Sequence, residues 1–136
     1  MFSLLARIEA GAVRGVTSSV GVIEVLHRLM VLEAISRFNL LPRDALRYLK
    51  GHPEQAKTLV AHQDSLRTIL QMGVEVVVVG LEDIARSHEV KRQYGFLTND
   101  ALTVALMQRC GFTALASNDP DFESVPTLAL YRPTPS

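Results

Sequence analysis

What this sequence has little of narrows its possible roles. It has one cysteine, Cys110, so an internal disulfide framework is excluded and a reducing compartment suits it. The neighbours of Cys110 make it read as a buried thiol near a helix end, not as a nucleophile. No apolar stretch approaches the ~20 residues that a membrane span requires. The opening Met1-Phe2-Ser3-Leu4-Leu5-Ala6-Arg7 has too short an apolar run for a signal peptide. The expectation is a cytoplasmic protein with no membrane partner. Charge of one sign is also lacking: 14 Lys and Arg balance 14 Asp and Glu. No global field therefore draws nucleic acid, and any RNA contact has to come from a local patch. His27, His52, His62 and His88 show no His-x-x-x-His or Cys/His pairing, which argues against zinc. There is no glycine-rich phosphate loop, and Ser18 and Ser19 lack the setting of a nucleophile elbow. Internal repeats, low-complexity stretches and linkers are absent.

What is present fits one domain spanning 1–136. The 136 residues, 48% of them hydrophobic, are enough to bury a core. Leu4 to Ala10 reads as the end of a helix stopped by Gly11, and Ala12 to Thr17 as a short strand. Ser18 and Ser19 are suitable N-caps for a helix from about Val20 to Phe38. Its apolar residues cover most of the circumference, so it is expected to be largely buried. Pro42 to Leu49 is a further helix, broken by Gly51-His52-Pro53, and Glu54 to Met72 another. Val74-Glu75-Val76-Val77-Val78-Val79 is the clearest strand, and its continuous valines predict cover on both faces. Helices follow at Leu81–Tyr94 and Thr98–Cys110, stopped by Gly95 and Gly111. Phe112 to Ala116 is a strand, Ser117 to Phe122 a turn, Thr127 to Tyr131 a last strand and 133–136 a tail. Strands alternating with helices imply an α/β fold, a three-layer sandwich around a mainly parallel central sheet.

In open sheets of this kind ligands bind beyond the carboxyl ends of the strands. Three groups of acids stand at such places: Glu24 after Thr17-Ser18-Ser19, Asp100 in the first turn of its helix, and Asp119 with Asp121 after the Phe112–Ala116 strand. Gathered carboxylates repel one another, so a site that holds them is usually built for a cation. Each acid also has an ordinary explanation. Glu24 is spaced i,i+4 from Arg28, Asp100 suits a helix N-terminus, and Asn118-Asp119-Pro120-Asp121 is good turn chemistry. Arg86, His88, Lys91 and Arg92 make a basic helix surface, either a solvated face or a phosphate-contacting patch. Arg43, Arg47 and Lys50 form a similar stripe.

The order of these motifs resembles the PIN-domain family. Thr17-Ser18-Ser19 followed by Val22-Ile23-Glu24-Val25 is similar to the strand-to-helix segment that carries that family's glutamate. Asn99-Asp100-Ala101-Leu102, with Ala105 and Gly111, resembles its "D-A-L…A…G" helix. Leu115-Ala116-Ser117-Asn118-Asp119-Pro120-Asp121-Phe122 resembles its closing "T-x-D-x-D-F" turn, with Ser117 where threonine is commoner. The resemblance covers about Leu4 to Leu130. It implies hydrolysis of RNA phosphodiesters with Mg²⁺ or Mn²⁺. Glu24, Asp100 and Asp119 would be the catalytic metal ligands, converging at one sheet edge, and Asp121 a further metal-site acid. Ser18, Asn99 and Ser117 would orient them, and Arg86, Lys91 and Arg92 would contact RNA. Relatives of this kind are often toxins held by a small antitoxin, and often homodimers.

The resemblance departs at one point. PIN domains begin with a hydrophobic strand ending in a metal-binding aspartate, whereas the one acid ahead of Glu24 here is Glu9, inside the first helix. The expectation is therefore a PIN-like domain without its first strand, N-terminally incomplete, with impaired activity and exposed strand edges that favour dimerisation. The alternative is a non-catalytic PIN-like module that binds RNA or protein. A third reading is a doubly wound binding protein unrelated to nucleases, in which the acids would be scattered.

Overall fold

Ser18 closes the first strand and opens the longest helix, because its Oγ accepts the Gly21 backbone N–H at 3.0 Å and satisfies one of the helix's unpaired donors. The computed structural model in which this cap is seen describes residues 2–132. The expected tail at 133–136 lies outside the described residues. The chain divides into two compact units, Leu5–Val77 and Val78–Ser136, the second together with Met1–Leu4. Among the described residues no helix is long and apolar enough to cross a membrane.

Helix α1 (Phe2–Glu9), which lies in the first unit from Leu5 onward, leads to strand β1 (Val16–Ser18), which runs parallel to β2 (Glu75–Val77) with Thr17 opposite Val76. Gly15 precedes β1 because a Cβ there would lie 2.5 Å from Ile8 Cδ1. Arg14 and Glu75 clasp the entry to both strands, with Nη2–Oε1 at 3.1 Å. Helix α2 (Ser19–Phe38) is followed by a 3₁₀ turn (Pro42–Asp44), α3 (Ala45–Gly51), α4 (Pro53–Ala56) and α5 (Ala61–Gln71). The core is Ala34, Leu49 and Leu59, with Met30, Phe38, Leu40, Tyr48 and Ala56 against it.

Three expectations need correction here. The helix expected from Glu54 to Met72 is two helices. Thr58 Oγ1 donates to the Gln55 carbonyl at 2.7 Å, Leu59 turns into the core, and Glu33 of α2 accepts the Ala61 N–H at 3.2 Å. A local side-chain bond thus ends one helix and a tertiary cap starts the next. The valine run does not form a strand covered on both faces: β2 is three residues long, pairs with β1 alone, and Val78 is 75% exposed. Nor is α2 largely buried. Met30, Ala34 and Phe38, at i,i+4 spacing, face α3 and α5, while Ile23 and Leu32 are 66% and 60% exposed. With so few elements to pack against, one stripe of the helix is covered and the rest is not.

In the second unit α6 (Leu81–Tyr94) packs along α7 (Thr98–Cys110). Gly95 and Gly111 stop these helices as expected, both at φ +74°, where a side chain would be strained. Strands β3 (Ala114–Ala116) and β4 (Ala129–Tyr131) pair in parallel, with Leu115 opposite Leu130, and a 3₁₀ turn (Pro120–Ser124) lies in the crossover. Helix and parallel strand therefore alternate as expected, but pairing occurs in separate two-stranded sheets. The core joins Val90, Phe96, Ala101, Val104, Ala105, Phe122 and Val125. Phe96 and Phe122 meet edge to face at 5.5 Å, the arrangement that aligns a positive ring edge with a negative ring face. Phe96→Ala is expected to destabilise this unit by about 3–5 kcal/mol through lost burial and the cavity left. A lower urea midpoint at unchanged slope would register it, and a shift under 1 kcal/mol would remove Phe96 from the core.

Candidate metal centre

Two neighbouring pieces of backbone bring three aspartates together. Asp100 lies in the first turn of α7, where the helix dipole favours an anion. Asp119 caps the 3₁₀ turn: its N–H donates to Ser117 Oγ at 3.1 Å, and its Oδ1 accepts the Asp121 N–H at 2.9 Å. Ser117 thus fixes the backbone of Asp119, and Asp119 fixes that of Asp121. Ser124 Oγ donates to the Asp121 carbonyl at 2.9 Å, and Arg132 reaches both Glu123 and, at 3.5 Å, the Asn118 carbonyl. The turn is held from both ends. One carboxylate oxygen from each of Asp100, Asp119 and Asp121 falls within 4.8 Å of the others. Asp100 and Asp119 are partly buried and Asp121 is exposed.

The other expected residues are placed as follows. Glu24 belongs to the first unit, exposed on the second turn of α2, and is not in this cluster. Ser18 uses its hydroxyl to cap α2. Asn99 is exposed at the start of α7, its carbonyl accepting Thr103 Oγ1 at 3.0 Å. Arg86, Lys91 and Arg92 are all exposed on α6, with Arg92 3.6 Å from Glu89.

The composition of the cluster decides what it can hold. Three carboxylates offer hard oxygen donors with no sulfur or imidazole, which fits Mg²⁺ or Mn²⁺ and does not fit a structural zinc. Carboxylates from a helix start and a strand-end turn thus form one cluster that could hold a hard cation. A family model of the PIN domain matches residues 3–128, and the chain belongs to that family. No curated protein and no solved structure matches it. As a PIN domain it is a nuclease-like or RNA-binding module, of a kind that generally uses a divalent metal.

Motif reading overlooked the most buried acid. Asp83 is 4% exposed on the first turn of α6. Its Oδ2 accepts the Gly80 N–H at 2.9 Å, and Arg109 of α7 donates Nε to Oδ1 at 2.6 Å and Nη2 to Oδ2 at 3.2 Å. Arg109 also reaches the Val78 carbonyl at 3.2 Å. Asp83 and Arg109 stand 26 positions apart, so no local spacing announces the pair. A carboxylate three residues after Gly80, at a helix start, was the one available hint.

The Gly80 N–H first, and the Arg109 guanidinium second, hold the Asp83 carboxyl below its ordinary value of 3.8. A group whose folded value is depressed stabilises the fold above its unfolded value and loses that contribution as pH falls through the folded one. Asp83→Asn should therefore lower stability at pH 7, and the two proteins should converge in the acid range below pH 3.8. Urea midpoints across that range decide it; parallel curves would mean that the pair does not stabilise the unit.

Proposed function

We propose that this chain is a divalent-cation-dependent endoribonuclease built on Asp100, Asp119 and Asp121. The gathering of three carboxylate oxygens within 4.8 Å carries the reading, and the motifs point to those three residues together with Glu24. Mg²⁺ or Mn²⁺, when bound, supplies a water activated as a nucleophile and screens charge on the phosphate. The protein's part is positioning. Asp100 and Asp119 would hold the ion from the start of α7 and from the 3₁₀ turn, and exposed Asp121 would offer a third oxygen. Ser117 keeps Asp119 aimed through its N–H, as residues behind metal ligands generally do. Asn99, next to Asp100, would orient the acids or the water. Arg86, Lys91 and Arg92 contact phosphates without reading sequence, so binding should weaken steeply with salt.

Glu24 as a further ligand, Ser18 as its orienting neighbour, and a toxin–antitoxin setting rest on the resemblance alone. So does a homodimer, for which light scattering of the purified chain should give twice the monomer mass. RNA binding without any chelator-sensitive cleavage would favour the non-catalytic module instead.

In Mn²⁺, Asp100→Asn is expected to lower the rate of RNA cleavage about a hundredfold, equal to two steps of 1.36 kcal/mol in barrier height. Its circular dichroism should match that of the parent, and EDTA should abolish the parent's activity. Cleavage unaffected by both treatments would overturn the proposal. Glu24→Gln tests the resemblance separately, with a similar loss expected.

A further inference from the structure

Beside the three aspartates lies a cleft of about 600 Å³, bounded by Tyr94, Gly95 and Leu97 on one side and by Pro120, Asp121, Glu123 and Ser124 on the other. Its size falls within the range of small-molecule sites. We propose that it receives the nucleotide next to the scissile phosphate and prefers a base that carries an amino group. The proposal rests on the ribonuclease reading only for the word scissile; the cleft's chemistry stands by itself.

Asp121 belongs both to the carboxylate cluster and to the cleft wall, so a ligand in the cleft touches the cluster. Tyr94 and Phe96 give part of the lining an aromatic character. Phe96 is buried, stacks with Tyr94 at 5.5 Å and meets Phe122 at 5.5 Å, so Tyr94 is held in one orientation. Leu97 is 78% exposed at the rim although it is apolar, and Pro120 is exposed across from it. These are flat or apolar surfaces on which a base can stack, and such stacking is worth about 1–3 kcal/mol per base. At Gly95 a Cβ would meet nothing within 4 Å, so the backbone there is open to a close approach.

The polar groups are mostly acceptors. Asp121 and Glu123 carry carboxylates, and the Ser124 hydroxyl hydrogen is engaged by the Asp121 carbonyl, which leaves its oxygen as an acceptor. Arg132 pairs with Glu123 and offsets its charge, so the cleft is less hostile to an RNA strand than its acids suggest. A wall of acceptors favours bases with exocyclic N–H₂ groups, adenine, cytosine and guanine, over uracil, whose one edge N–H is flanked by two carbonyls.

The test is binding, read by amide NMR shifts on the full chain in Mg²⁺ with AMP, CMP, GMP and UMP as probes. Gly95, Leu97 and Ser124 amides should shift on addition of AMP, CMP or GMP, with UMP at least about fivefold weaker. Leu97→Glu, at an exposed position, should weaken binding about tenfold or more. Ser124→Tyr, which fills the cleft, should do the same and decides the matter if the first variant misfolds. Asp100→Asn should retain the shifts while losing cleavage. Shifts confined to other residues, equal binding of UMP, or parental affinity in both cleft variants would overturn the proposal. Cleavage of RNA without shifts at the cleft would reject this site and leave the nuclease reading standing; nucleotide binding without cleavage would do the reverse.

Discussion

A carboxylate that is 4% exposed has to be compensated, and Asp83 obtains its compensation from two directions: the Gly80 N–H at the start of its own helix and the Arg109 guanidinium at the end of the next. Removing either partner leaves a charge in a place where water cannot replace it. The start of α6 is therefore tied to the end of α7, and the lateral register of the two helices is set. Asp100 stands about 14 Å along α7 from Arg109 at 1.5 Å per residue, so fixing one end of a stiff rod aims the other. At that other end Phe96 and Phe122 close the core beneath the turn that carries Asp119 and Asp121. One helix thus links a structural ion pair to a cluster of carboxylates, with no acid shared between the two tasks.

The turn itself solves a local problem. Negative charges on Asp119 and Asp121 stand two positions apart and repel, yet the Asp119 carboxylate accepts the Asp121 N–H and turns the chain. Pro120 between them has no N–H to satisfy and presets its own backbone angle, which lowers the entropy lost on ordering. Ser117 and Arg132 then anchor the turn from either side. Pre-organisation of this kind matters because an ion held by misplaced ligands gains little.

How much of this the sequence discloses depends on whether the cause is local. Helix stops at Gly95 and Gly111, the cap at Ser18 and the Asp119 turn are all set by residues within a few positions, and they are legible. The motif order pointed to Glu24, Asp100, Asp119 and Asp121, and the last three are the ones gathered in one cluster. What failed to show was tertiary. Val76 to Val79 look like a strand covered on both faces because apolarity reports the capacity for burial, whereas burial needs a partner, and β2 has one neighbour. The break at Leu59 depends on Glu33, 28 positions from the Ala61 N–H that it accepts. Asp83 and Arg109, 26 positions apart, left no sign of their pairing beyond the place of Asp83 at a helix start.

Glu24 shows the same distinction inside a single motif. Its segment, Thr17 to Val25, matches the family in order, and locally it does what such a segment should: a strand ends, Ser18 caps, and a helix begins. Those features follow from caps and propensities that any strand-to-helix joint can use. A ligand's role has a different origin, since it requires charges from remote parts of the chain to share one ion. The three aspartates are gathered within one unit, where two come from a single turn and the third from the start of α7. Glu24 has only its motif. Its proposed role therefore rests on that resemblance, and loss of its charge should leave the turn that holds Asp119 and Asp121 undisturbed.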